Sequence, residues 1–168
     1  MSLPPHQRFA FKAEDLVLNL LISKGCEGYK ANTKELQYKD IDLVCKDTKN
    51  NEFTVSVKFM PMVLKTGNYA FEIKLVSSQT GATMDGWFTS GQSDYTCICI
   101  PKGDDQMEIT LWNTKRLKEI VPTVYHRKAS LSNYQKSFNA GRKMDNVEIL
   151  LVKKEKLINY GKTEYLKI

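Results

Sequence analysis

Three residues in this sequence have the types and spacing to hold a hard cation against a phosphate. They are Asp42 in the run D-I-D-L-V-C (40–45), Lys58 in F-T-V-S-V-K-F (53–59) and Glu72 in K-T-G-N-Y-A-F-E (65–72). Mg²⁺ takes oxygen ligands, which two carboxylates supply, and a lysine beside them can orient or help to deprotonate an attacking water. The chemistry such a trio would perform is metal-assisted hydrolysis at a phosphate.

The elements around them must bring the three together. Both runs 40–45 and 53–59 alternate with period two, the pattern of half-buried strands. In the first, Ile41, Leu43 and Cys45 share one face, with Asp40, Asp42 and Val44 on the other. In the second, Val55, Val57 and Phe59 lie opposite Thr54, Ser56 and Lys58. The polar turn at Asn50-Asn51 predicts an antiparallel hairpin that sets Asp42 and Lys58 on one face. The segment Tyr69 to Val76 fits a strand with Glu72 on the face opposite Tyr69, Phe71, Ile73 and Leu75; as a helix capped by Asn68, its apolar residues would wrap nearly all the way round.

The rest of the chain supplies a scaffold. Residues 1–8 are polar and proline-bearing, which predicts a loose tail. Phe9 to Lys24 fits an amphipathic helix closed by Gly25 at C′, with Glu14 near its start. A short edge strand is expected near Tyr29. Met60-Pro61-Met62 ends the second strand, because proline cannot donate to a ladder. The segment 77–93 reads as a long loop with one helical turn. Asp94 to Ile100 is an apolar strand, Met107 to Trp112 its hairpin partner, and Asn113 caps a helix that Pro122 stops. Residues 123–145 are polar and basic and read as an excursion from the core. Asn146 to Val152 is a last strand, followed by a short helix or turn over Lys153 to Tyr160.

Composition sets outer limits. A chain of 168 residues, 42% hydrophobic and 26% charged, fits one soluble domain spanning 1–168. A net charge of +6 with a pI near 9.0 permits an anionic partner, nucleic acid first, and equally a solvated lysine surface. No run approaches the ~18 apolar residues of a membrane span and no signal-peptide pattern is present, so a cytoplasmic protein without a membrane partner is expected. Cys97-Ile98-Cys99 lacks a second pair or a histidine cluster that would complete a zinc site, which leaves buried, reduced thiols. There is no G-x-S-x-G, phosphate loop or H-E-x-x-H.

An aspartate on one strand and a lysine near the end of the next, preceded by a helix with an early glutamate and followed by a central apolar strand, resembles the PD-(D/E)xK nuclease superfamily. The resemblance covers roughly residues 9–121. Its usual acidic-x-lysine triplet is here Ser56-Val57-Lys58, with serine at the acidic position. Some type II restriction enzymes of the superfamily carry S-x-K and a carboxylate displaced a little over a dozen residues downstream, and thirteen residues separate Lys58 from Glu72. The displaced residue lies on a helix in those enzymes. The stretch T-G-N-Y-A-F-E followed by D-G-W-F also resembles small phage-encoded nucleases of this kind.

The resemblance implies an α/β (α+β) fold, with a restriction-endonuclease-like central mixed β-sheet flanked by helices. It implies Mg²⁺ (or Mn²⁺) on Asp42 and Glu72, with the Val57 carbonyl completing the coordination and Glu14 as an outer contact of the metal. Lys58 would orient the water and stabilise the pentacovalent transition state. Asp40 is a reserve ligand. The implied activity is DNA endonuclease, in processing or junction resolution, in the host cytoplasm if phage-encoded. DNA is favoured over RNA as partner, and a homodimer is expected because a duplex has two strands. Two other readings stand beside it. A non-catalytic nucleic-acid-binding protein would explain Ser56, and a phage protein inhibiting a host enzyme would make these charges mere surface. Asp42 and Lys58 as a cross-strand ion pair on a solvated face would be worth little.

Overall fold

The computed structural model describes residues 5–103, 105–137 and 143–167. Its longest helix, α1 (Pro5–Ser23), buries Ala13 and Val17 and lays Leu16, Leu18, Leu20 and Leu21 beside them. It begins inside the expected tail; residues 1–4 of that tail lie outside the described residues. Its end is a Schellman motif: Gly25 N–H donates to Ile22 O (2.9 Å) and Cys26 N–H to Leu21 O (3.0 Å), with Gly25 at φ +91. A side chain there would be held in the left-handed region and would meet Thr48 Cγ2 at 3.0 Å. Gly25→Ala is therefore expected to cost about 1–2 kcal/mol, read as a fall of about 2–8 °C in Tm by calorimetry.

Six strands form the first sheet: β1 (Glu27–Lys30), β2 (Leu43–Lys46), β3 (Glu52–Phe59), and, after an interval, β6 (Tyr95–Lys102), β7 (Gln106–Asn113) and β10 (Lys162–Lys167), in the order β1-β2-β3-β6-β7-β10. The sheet is mixed, since β3 and β6 run parallel while the remaining neighbours are antiparallel. The expected hairpin is β2–β3, with Leu43 opposite Val55 and a turn in which the Asp47 carboxylate accepts from the backbone of Lys49 and Asn51. Four strands form the second sheet, ordered β5-β4-β9-β8: β4 (Asn68–Val76), β5 (Thr83–Asp85), β8 (Arg127–Ser137) and β9 (Lys143–Lys153). The short helices are α2 (Lys34–Tyr38), α3 (Met62–Thr66), α4 (Trp87–Ser90), α5 (Thr114–Val124) and α6 (Lys154–Leu157).

Alternation decides which side chains meet. Val55, Cys97, Cys99, Met107 and Ile109 point from one face of the six-stranded sheet toward α1. Ile98, Ile100 and Trp112 point from the other face into a core completed by Tyr69 and Phe71 of β4, Phe88 of α4, Leu117 and Val121 of α5, and Leu150 and Val152 of β9. The architecture is thus α+β, a central mixed sheet flanked by helices, as expected, with a second sheet sharing the core.

Several elements differ from expectation. The basic excursion expected over 123–145 enters the second sheet through β8 and the start of β9, pairing Arg127 with Leu151 and Leu131 with Val147; positions 138–142 lie outside the described residues. Pro122 does not stop α5, which runs to Val124. Pro122 has no N–H to donate to the Lys118 carbonyl, and so close to the helix end the loss is confined to the last turn's hydrogen bonding. Segment 77–93 contains β5 as well as the expected helical turn, α4. Cys45, Cys97 and Cys99 are buried free thiols, and burial pushes Cys45 up to about 11; Cys26 is also free but half-buried. Among the described residues no helix is long and apolar enough to cross a membrane.

Candidate active site

The run D-I-D does not lie in a strand. β2 begins at Leu43, and Asp40 takes φ +57, a left-handed conformation that aspartate adopts more readily than most residues. The kink follows from α2. The backbone N–H of Asp40 donates to Gln37 O (3.1 Å) and that of Ile41 to Leu36 O (3.0 Å), closing the helix end before the chain can extend. Asp42 then joins the hairpin ladder through its N–H to Val55 O (2.9 Å). Aspartate is disfavoured within strands, and here two aspartates occupy the loop just before one.

This loop gathers polar groups at the end of β3. One Asp42 oxygen accepts the Val57 N–H at 2.6 Å. The Asp40 carboxylate receives the Ser56 hydroxyl at 2.7 Å on one oxygen and the Lys58 ammonium on the other. Ser56 is fully buried, while the Asp40 and Lys58 side chains are each 19% exposed. The ammonium also lies 5.0 Å from the centroid of the Trp87 ring, which packs in turn on Phe71 and Phe88. Trp87 therefore both covers the core and carries the lysine on its π face.

The electrostatics are those of too many carboxylates. Burial raises Asp42 above the ordinary carboxylate range and the charge of Asp40 adds to this, against the lowering influence of Lys58 and the Val57 N–H. Burial likewise raises Glu14, reaching in from α1, and the charge of Asp42 is the next cause. Lys30 of β1 offsets part of this, 3.6 Å from Glu14 and 2.8 Å from Asp15.

Glu72 lies on β4, a strand as the alternation predicts, and faces the site from the second sheet. A cavity of about 490 Å³ is lined by Asp40, Val57, Lys58, Ala70, Glu72 and Trp87, among others. Lys58 and Glu72 thus share one cavity, and Asp42 sits behind it against Val57. Among the described residues no three acidic, histidine or cysteine side chains converge closely enough to hold a metal. Asp42, Glu14 and Glu72 are therefore not gathered around one point, as the sequence led us to expect.

The donor chemistry nonetheless fits a divalent cation. Asp42 and Glu14 are oxygen donors whose carboxyls are raised by burial and, after it, by a neighbouring carboxylate, and a hard cation on oxygen ligands would relieve that repulsion.

The sequence did not point to Trp87 as the seat of Lys58, and it left Asp40 in reserve. The only signal for Asp40 was its place two residues before Asp42. Gln92 contributes its backbone N–H to Lys39 O (2.9 Å), tying the Asp40 loop to the approach to β6, while its side chain is exposed. His126 is exposed; His6 falls in the helical part of the expected tail.

Fold and site together define an α+β domain whose mixed sheet ends in a carboxylate–lysine centre beside a cavity. In fold the chain is similar to a bacterial homing endonuclease, I-Ssp6803I, with a TM-score of 0.51 and 15% identity over 83% of this chain and 89% of that one. At that identity the shared property is the fold. No protein-family model matches the chain, and no curated protein matches it.

Proposed function

We propose that this protein is a metal-dependent nuclease that hydrolyses phosphodiester bonds in DNA. The observation that carries the reading is the meeting of Asp40, Asp42 and Lys58 at the end of β3. It is supported by the fold shared with a homing endonuclease. Asp42 and Glu72, with the Val57 carbonyl, would hold Mg²⁺ or Mn²⁺, and Glu14 would steady that shell from α1. When bound, the ion supplies charge neutralisation at the scissile phosphate and a more acidic water.

The chain's own groups do the rest. Lys58 places a positive charge where negative charge grows on the phosphoryl oxygens, in a site shielded by Trp87 and therefore of low dielectric. The Val57 N–H fixes the Asp42 carboxylate, so its second oxygen has a set direction. Lysines exposed on β9 and α6, such as Lys153 and Lys156, contribute phosphate contacts that position a strand without reading bases. Duplex cleavage would use two copies of the chain, one per strand.

Glu72→Gln separates this arrangement from one that needs only the Asp42 side. The expected result is at least a tenfold weaker Mn²⁺ affinity by titration calorimetry and loss of plasmid nicking, with Tm preserved. Full nicking by that variant would remove Glu72 from the site. Salt-sensitive DNA binding without cutting under any divalent metal would favour the non-catalytic reading, and no DNA binding at all an interaction protein.

A further inference from the structure

The resemblance treats Ser56 as a lost carboxylate and Asp40 as a spare. Their geometry assigns both a use. We propose that Asp40 is the positioning residue for Lys58, and that Ser56 is present to orient Asp40. The inference rests on the nuclease reading above and adds two residues to its working parts.

Three independent features fix the Asp40 carboxylate. Its backbone is locked at φ +57 by the closing turn of α2. One oxygen is anchored by the Ser56 hydroxyl at 2.7 Å, from a side chain only 1% exposed. Gly91 packs closely against it: an added Cβ there would lie 3.3 Å from the Asp40 oxygen, although the contact that calls for glycine is the 2.6 Å approach to the Trp87 carbonyl. The remaining oxygen is thereby aimed at Lys58, whose flexible four-carbon stem would otherwise sample many rotamers. Between that oxygen and the Trp87 ring the ammonium has one seat, on the wall of the cavity.

The arrangement also explains why the family's acidic triplet position is serine here. A carboxylate at 56 would be buried beside Asp40, and like charges so placed repel strongly. A hydroxyl donates to Asp40 instead. Restoring the usual family residue at 56 is thus expected to damage the site.

The test combines plasmid-nicking kinetics in Mg²⁺ with NMR of ¹⁵N-lysine-labelled protein, in which a side-chain ammonium held in hydrogen bonds gives a slowly exchanging signal. For Asp40→Asn we expect kcat to fall about 10–100-fold with KM essentially unchanged, and the Lys58 ammonium signal, assigned by its loss in Lys58→Met, to broaden away. Asp40→Glu should recover part of kcat, Ser56→Ala should lower kcat less than Asp40→Asn, and Ser56→Asp should cut more slowly than wild type. Asp40→Asn cutting at the wild-type rate, or Ser56→Asp cutting faster than wild type, overturns the proposal while leaving the nuclease reading intact. Should Asp40→Asn fail to fold, Ser56→Ala and Ser56→Asp decide the matter by the same readouts. A wild-type protein inert with every divalent metal overturns both.

Discussion

Lys58→Ala is expected to slow DNA cleavage by about 10²–10³-fold, the usual loss when a group that stabilises developing charge is removed. Asp42→Ala should fall at least as far, because it removes the carboxylate that the Val57 N–H holds in place. Neither change should unfold the protein. Lys58 leaves behind a carboxylate that is still hydrogen-bonded to Ser56 and 19% exposed, so water can reach it. Single-turnover nicking assays with circular dichroism on the same samples separate the two effects. A Lys58→Ala protein that cuts at an undiminished rate would take the lysine out of the chemistry and leave only its ion pair with Asp40.

The second large effect concerns stability, at the contact between β7 and α6. Glu108 of β7 is 1% exposed, and both its carboxylate oxygens lie 2.6 Å from Lys154 Nζ at the start of α6, with Lys102 at 3.6 Å. Burial and, after it, the charge of Glu108 push the neighbouring Tyr69 hydroxyl well above its ordinary range. Removing Lys154 leaves the buried Glu108 carboxylate with the more distant Lys102 as its cation, so Lys154→Ala is expected to cost up to about 3–5 kcal/mol. For a chain of this size that is a fall of roughly 6–20 °C in Tm. Replacing both members, Glu108→Leu with Lys154→Met, should recover most of the loss, since an apolar pair of similar volume carries no desolvation penalty. Equal destabilisation by the single and the double replacement would show that packing, not charge, holds β7 to α6.

Much of the scaffold was legible because local rules decided it. Gly25 at φ +91 closes α1, and Asn113 caps α5 by accepting the Arg116 N–H. The alternation of 53–59 sorts Val55 toward α1 and Ser56 and Lys58 away from it. The second sheet was legible only in part: β4 and most of β9 show in their apolar runs, but β5 and β8 do not. Strand β8 carries Arg127, Lys128 and several serines, which read as solvated loop, and only its pairing with β9 makes it a strand. Strand propensity is set by neighbours that lie far off in sequence.

The same limit applies at the site. Sequence order named Asp42, Lys58 and Glu72; Lys58 and Glu72 line one cavity, while Lys58 pairs with Asp40 and Asp42 accepts the Val57 N–H. But period-two reasoning put Asp40 and Asp42 in a strand, where they would project side by side. The left-handed residue 40 instead turns the chain, so that Asp40 reaches Ser56 and Lys58 while Asp42 turns to the Val57 N–H. No periodicity in D-I-D announces that turn; it comes from the preceding helix α2, whose five residues look like polar loop. Trp87 escaped for a related reason. Trp87-Phe88 could cover the core or meet a ligand, and the sequence holds nothing to show that one ring would seat the lysine.

The most direct measurement is incubation of supercoiled plasmid with wild-type protein and with Asp42→Ala, in Mg²⁺ and in excess chelator. A metal-dependent nuclease built on Asp42 gives nicked and linear products from wild type in Mg²⁺ alone, and none from wild type in chelator or from the variant. Intact plasmid after wild type has been supplied with Mg²⁺ or Mn²⁺, or equal cutting by Asp42→Ala, would contradict it.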